Sequence, residues 1–411
     1  MKVYYNNFKR FLVLGSFFLS LCSHAQDLDI LIHEAINNNP ELQKFDLQYQ
    51  MASEKINEVN TVPNTEFGVG YFVSEPETRT GAQKFKVSAK QMLPWFGNVT
   101  AREHYMGAMA DAKYEDYVIA KRKLMASVSQ SYYELYTIQS KQQVLTENIK
   151  LLKTYETMAL TSVEVGKASA VSVLRLQMRQ NDLQQLKDVL SQQFLAEQTK
   201  LNKLLNRDKN TGIQVIQDLE IPSEDIDGTL ERLEVHPELI KYDKLFHSVE
   251  QSELLNQKES SPMIGFGLDY INVEKRPNMN FSDNGKDIIM PMVSVSIPIF
   301  NNKYKSQTKQ NELQQQELVY QKQERYNTLE TTLDKAIKDR TAARISFNTQ
   351  TKNLKQAKDA ESILIKSYET GTINFNDVLD IQELQLKFQM NQIEAVKAYY
   401  MQSTIINYLI Q

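Results

Sequence analysis

Apolar positions recur along the chain with two periods. In the second half Leu329, Leu333, Ala336, Arg340, Ala343, Phe347, Gln350, Leu354, Ala357, Glu361, Leu364 and Tyr368 advance by alternating steps of four and three. Val378, Ile381, Gln385, Phe388, Gln392, Ala395, Tyr399, Gln402, Ile406 and Leu409 do the same, and Leu124 to Leu152 repeat the pattern in the first half. A sustained period of 3.5 residues predicts helices packed knobs-into-holes along their whole length. The stretches expected to be helical are about 98–162, 169–206, 303–369 and 375–411. The first of these would reach roughly 100 Å at 1.5 Å per residue. Arg340, Gln350, Gln385 and Gln392 interrupt the seams, either as residues that set register or as the wet face of a hollow tube.

Between the helices the period drops to two. Phe67, Val69, Tyr71 and Val73 alternate with Gly68, Gly70, Phe72 and Ser74, and Phe85, Val87 and Ala89 alternate with lysines and Ser88. Phe266, Leu268 and Tyr270 against Gly265, Gly267 and Asp269, then Val293, Val295 and Ile297 against Ser294 and Ser296, give a second pair. Hairpins are therefore expected at about 65–93 and 263–297, each strand of about nine residues, the length of a transmembrane β-strand. Four strands cannot close a barrel, whereas three copies would supply twelve. The apolar faces would meet lipid, and Lys86, Asp269, the serines and the glycines would face a water-filled lumen, so that Lys86→Gln should be tolerated.

The two halves carry the same landmarks in the same order. Asn39-Pro-Glu-Leu42 answers to His236-Pro-Glu-Leu239, Leu93-Pro-Trp-Phe-Gly97 to Ile297-Pro-Ile-Phe-Asn301, and Ser162-Val-Glu-Val-Gly166 to Ser367-Tyr-Glu-Thr-Gly371. Offsets of about 197 to 205 mark an internal duplication. The expected organisation is a leader at 1–25, a first repeat at 26–217 and a second at 218–411, each reading helix, hairpin, long helix, turn, long helix. The fold class is mainly α with a small membrane β part: a trimeric 12-stranded β-barrel, four strands per protomer, continued by a long α-helical barrel.

Composition fits this reading. Only 13 Gly and 10 Pro punctuate 411 residues, as very long helices require. Lys2, Lys9 and Arg10 precede the apolar run Phe11 to Cys22 and then Ser23-His24-Ala25, a secretory signal expected to be cleaved before Gln26. Leu21 is bulky where lipid-attachment signals favour a small residue, which argues against lipidation at Cys22. Cleavage would remove the single cysteine, and with it any disulfide or thiolate chemistry. Losing three basic residues would move the net charge from −4 to −7, which disfavours nucleic acid. The histidines form no His-Glu-x-x-His motif, and neither a phosphate-binding glycine loop nor a nucleophile elbow appears. Met92, His104, Met106, Met109, Met290 and Met292 could suit a soft metal, although methionine is more often a packing residue. No enzyme, cofactor or metal site is expected.

The ordered landmarks resemble those of the TolC family of outer-membrane efflux proteins over essentially the whole mature chain. Leu93-Pro-Trp-Phe-Gly97 and Ile297-Pro-Ile-Phe-Asn301 resemble its strand-to-helix junctions, and Tyr368-Glu-Thr-Gly371 with Asn376-Asp-Val-Leu-Asp380 resembles its periplasmic tip. The resemblance implies a passive homotrimeric exit channel of a tripartite efflux or type I secretion system. Its implied partners are outer-membrane lipid, a periplasmic adaptor and an inner-membrane pump of RND or ABC type. It implies adaptor-docking tips at Val165, Gly166 and Lys167 and at Thr370, Gly371 and Thr372, and a constriction at Asp377, Asp380 and Tyr368. Ile373 stands where the family often has a basic residue, so a latch built on that cation is not expected. The main alternative is a secreted, soluble coiled-coil scaffold, and a lesser one a channel that exports proteins rather than small solutes or metal ions.

Overall fold

A computed structural model describes residues 28–166, 169–225, 233–370, 372–373 and 375–410. The leader, its cleavage point and tip residues Lys167 and Gly371 lie outside the described residues. In chain order the elements are α1 (Leu28–Asn38), α2 (Pro40–Val59), β1 (Glu66–Tyr71), β2 (Glu77–Thr78), β3 (Gly81–Leu93), α3 (Asn98–Glu164) and α4 (Ala170–Leu204). Then follow α5 (Pro237–Glu259), β4 (Met263–Glu274), β5 (Ile288–Ser296), α6 (Lys303–Glu369) and α7 (Phe375–Ile410). The protein is thus mostly helical with a small antiparallel sheet. Prolines open α2 and α5, where a missing N–H costs nothing, and His236 caps α5 by accepting from the Glu238 N–H. Among the described residues no helix is long and apolar enough to cross a membrane.

The chain forms two compact units, each drawing on several stretches of sequence. One comprises residues 41–122 and 229–332 with the last three residues, and holds the sheet. Its strand order is β1-β3-β4-β5, all antiparallel, with β2 paired to β3. Register puts Val69 beside Val87, Val87 beside Tyr270, Leu268 beside Ala89 and Pro291, and Phe266 beside Val293. The apolar residues therefore form one continuous row across all four strands. That row is open: Val69 is 82% exposed, Leu268 50% and Val293 72%. The strands are less uniform than their alternation predicts, with 6 residues in β1 and 13 in β3. The short β1 leaves Val73 beyond the strand.

The opposite face carries Gly68, Gly70, Lys86, Ser88, Lys90, Gly265, Gly267, Asp269 and Ser294. Here one expectation needs correction. Lys86 is not a free lumenal charge: its ammonium ion-pairs with Asp269, whose side chain is fully buried. Replacing Lys86 would strand a carboxylate, so Lys90, exposed and opposite Gly267, is the neutral position on this face. The two loop regions are cross-tied by Arg79 to Asp283 and by Arg276 to Glu77 of β2 at 2.7 Å.

The second unit comprises residues up to 40, 123–228 and 333–408. Its core follows the heptad: Ile138, Leu145, Leu152 and Ala159 of α3 and Leu176, Leu183 and Leu190 of α4 recur at steps of seven and pack with Phe375, Val378 and Leu386 of α7. The polar seam residues cross-link neighbouring helices within this unit. Gln385 donates to the Ala357 carbonyl at 3.1 Å and to Glu361 at 2.8 Å, and Gln392 donates to Thr351 Oγ1 at 2.8 Å. Arg340 is buried, 6% exposed, with Nε 3.7 Å from Asp225. Within a protomer these residues set register.

Asp225 organises the end of the segment that follows α4. Tyr132 and Tyr136 hydroxyls accept from the Ile216 and Leu219 N–H groups, and Tyr400 donates to the Glu220 carbonyl. Arg344 reaches the Pro222 carbonyl at 2.5 Å and Asp225 at 2.6 Å, and Tyr399 donates to Asp225 at 2.6 Å. Burial works to raise the Asp225 pKa, but hydrogen bonds from Arg344 and Tyr399 and the charge of Arg340 outweigh it and hold the carboxyl low. A carboxylate depressed on folding stabilises fully above its unfolded value, about 3.9, and loses that contribution as pH falls through the folded value. Asp225→Asn is therefore expected to cost about 1.5 kcal/mol at pH 7 and to flatten the fall in melting temperature below about pH 4. Thermal melts of parent and variant from pH 7 to pH 2 measure both.

Candidate functional site

The candidate site lies in the second unit, where α3 turns into α4 and α6 into α7. α3 ends at Glu164, and the next two residues reverse the chain. Gly166 has φ +71, a left-handed conformation that favours glycine, with nothing within 4 Å of where a Cβ would stand. Val165 beside it is 63% exposed. Ser169 then caps α4, its hydroxyl accepting from the Val171 N–H at 3.2 Å. At the other turn, Thr370 and Thr372 fold back on the end of α6: their hydroxyls donate to the Ser367 carbonyl at 3.0 and 2.8 Å. Both threonines are exposed at the turn while their hydroxyls serve the helix end.

Asp377 lies in the first turn of α7, where a carboxylate suits the helix dipole, and Asp380 follows one turn later. Both are exposed, whereas Phe375 before them and Val378 between them are buried in the apolar cluster. That alternation aims the two carboxylates away from the core. Tyr368 is placed differently. Its hydroxyl donates to Ser162 Oγ at 3.0 Å and its ring meets Phe375 edge-on at 5.1 Å, so it braces α6 against α3 and α7. Ile373 packs against the same apolar cluster and offers no cation.

A polar node sits within this end. Glu361 accepts from Tyr155 at 2.6 Å, from Gln385 and from Gln382, joining α3, α6 and α7. Burial, and then the bond to Glu361, push the Tyr155 phenol well above its ordinary pKa, so it remains a donor. Hydrogen bonds from Gln177 and Gln180 hold Glu156 below the usual carboxylate range and tie α3 to α4. The sequence reading missed Arg175 and Arg179 of α4, which contact Asn376 and Glu383 of α7. Their spacing of four residues, one turn of one helix face, was the available signal. Among the described residues no cluster of His, Cys, Asp and Glu could hold a metal ion.

Solved outer-membrane proteins share this fold. VceC from Vibrio cholerae is 15% identical, with a TM-score of 0.72 over 93% of this chain and 95% of that one. The CmeC outer membrane channel of Campylobacter jejuni is 14% identical, with a TM-score of 0.74 over 94% and 85%. CusC, solved for its folding and transmembrane channel formation, is 13% identical, with a TM-score of 0.76 over 94% and 92%. Among curated proteins no sequence match is found. A family model described as outer membrane efflux protein matches from within α1 to just beyond α4. The match spans residues 31–207, less than half of the chain, and over that stretch the chain is similar to outer membrane efflux proteins.

Proposed function

We propose that three copies of this chain, each a duplication of 26–217 and 218–411, close a 12-stranded barrel in the outer membrane and continue it as a helical tunnel. The trimer passively conducts substrates that an inner-membrane pump of RND or ABC type delivers through a periplasmic adaptor. The observation that carries this reading is the apolar row running unbroken from β1 to β5 and exposed in the protomer. A soluble coiled-coil scaffold would leave that row in water, against the usual limit on exposed apolar patches. β1 and β5 are also free edges, which closure among copies would pair.

In this reading the adaptor docks at the turns around Val165, Gly166 and Lys167 and around Thr370, Gly371 and Thr372. The narrowest point is set by Asp377 and Asp380, with Tyr368 fixing the wall behind them. Three copies bring six carboxylates to one opening. Like charges about 6 Å apart repel by roughly 3 kcal/mol at an effective dielectric of 20, so such a ring attracts cations. Divalent or trivalent cations added from the periplasmic side are expected to block current through the purified protein in a planar bilayer. Asp377→Ala with Asp380→Ala should relieve that block and weaken cation selectivity without dissociating the trimer. Block as tight as in the parent would reduce the two aspartates to helix-capping charges.

A further inference from the structure

We propose that the wet face of the sheet carries a thioether site for a soft monovalent cation, Cu(I) or Ag(I), formed by Met92, Met263 and Met292 along β4. Its service as a cargo site, which names a substrate class for the channel, rests on the channel reading above. The strands hold four methionines: Met92 of β3, Met263 of β4, and Met290 and Met292 of β5. Residues directly opposite each other in an antiparallel pair share a face. Met92 stands opposite Gly265, Met292 opposite Gly267 and Met290 opposite Asp269, while Met263 precedes Gly265 by two positions. All four therefore lie with the serines, lysines and glycines, and none joins Val69, Phe266, Leu268 and Val293 in the apolar row. Side chains placed there only for their hydrophobicity would take the other face.

The glycines let the sulfurs converge. Met92 Sδ lies 2.5 Å from where a Gly265 Cβ would stand and accepts from Ser294 Oγ of β5 at 3.9 Å, so this side chain reaches across the width of β4. From the other side Met292 brings its Cε within 3.2 Å of where a Gly267 Cβ would stand. Positions 263, 265 and 267 follow one another at about 7 Å along one face of the strand. A thioether side chain thus covers each of them: Met263 its own, Met92 that of Gly265 and Met292 that of Gly267. Methionine is unbranched and flexible, so small side-chain rotations close neighbouring sulfurs on one ion. All three are only half-buried, within reach of an ion in the lumen.

The surrounding chemistry selects the ion. Thioethers are soft ligands that suit Cu(I), whereas Mg(II) and Ca(II) favour carboxylate and carbonyl oxygens. Beside the sulfurs Lys86 is ion-paired with the buried Asp269, and Lys90 stands opposite Glu66. Matched charges give a hard divalent cation little to gain, whereas polarisable sulfur holds a soft ion without any charge of its own.

Silver is the probe, because Ag(I) needs no reductant. Full-length purified protein dialysed against Ag(I) in chloride-free buffer is expected to hold about one tightly bound ion per protomer at this site, with sulfur neighbours in its X-ray absorption spectrum. Met92→Leu with Met263→Leu and Met292→Leu keeps the side-chain volume and removes the sulfurs. Affinity should fall more than tenfold, since losing even an outer-shell partner of a metal ligand costs about 10- to 100-fold. Met92→Leu alone puts the same question should the triple variant fail to fold. Met51→Leu with Met178→Leu, exposed on α2 and α4, should bind silver as the parent does. Unchanged affinity in the sulfur-free variant, an equal loss in the α2 and α4 variant, or Mg(II) held as tightly as silver would overturn the site. Planar-bilayer recording separates the two readings: a parent that binds silver yet forms no channel would keep the ion site and overturn its cargo role.

Discussion

Val69→Arg and Leu268→Arg, each alone, will sharply reduce the folded protein recovered from the outer membrane, while Lys90→Gln will leave recovery unchanged. Val69 and Leu268 belong to the apolar row, where they contact little of their own protomer. Their loss therefore costs little packing, and the penalty comes from placing a guanidinium in hydrocarbon. On the lipid face of a barrel that penalty is roughly 2 to 4 kcal/mol near the midplane. In the proposed trimer the substitution occurs three times, a total of roughly 6 to 12 kcal/mol, which is comparable with a total stability of about 5 to 15 kcal/mol. Lys90 lies on the opposite face and is exposed, so an uncharged amide there meets water as before. Fractionation followed by heat-modifiable gel mobility separates inserted from misfolded protein. Equal losses from all three substitutions would contradict the assignment of the faces.

The second large effect is expected at Lys86. Its partner Asp269 is fully buried, while Lys86 itself remains about one-third in water. Removing one member of a buried ion pair costs about 3 to 5 kcal/mol, and the partial hydration of Lys86 lowers this to about 2 to 3 kcal/mol. Lys86→Ala should accordingly depress the unfolding midpoint of the purified protein. Adding Asp269→Asn should recover most of the loss, because an amide strands no charge. A double variant as unstable as Lys86→Ala alone would mean that the two side chains are not energetically coupled.

These cases mark what the sequence discloses. The faces of the sheet were legible because a strand sends alternate side chains to opposite sides, so Phe67, Val69, Phe266 and Leu268 declare themselves without knowledge of their neighbours. The Lys86–Asp269 pair was not legible, because its members come from different hairpins and only the β3–β4 register brings them together. Arg340 stood out as a charge in an apolar seam, yet its partner Asp225 lies in a segment with no period to read. At the tip, the exposure of Asp377 and Asp380 followed from helical spacing. Arg175 and Arg179 were not singled out, because their partners Asn376 and Glu383 lie some 200 positions away.

The tie at Asp225 has a mechanical consequence. Arg344 of α6 is fastened there to a strap that Tyr132, Tyr136, Tyr399 and Tyr400 also grip, so three helices share one fixed point. Tyr368 lies farther along the same helix by about 36 Å at 1.5 Å per residue. A rotation of about 10° about the strap would sweep that end sideways by about 6 Å, more than one helical pitch. The strap is thus a fulcrum and α6 a lever, and a slight rocking at the strap becomes, at the far end that Tyr368 braces, a displacement large enough to matter for a solute.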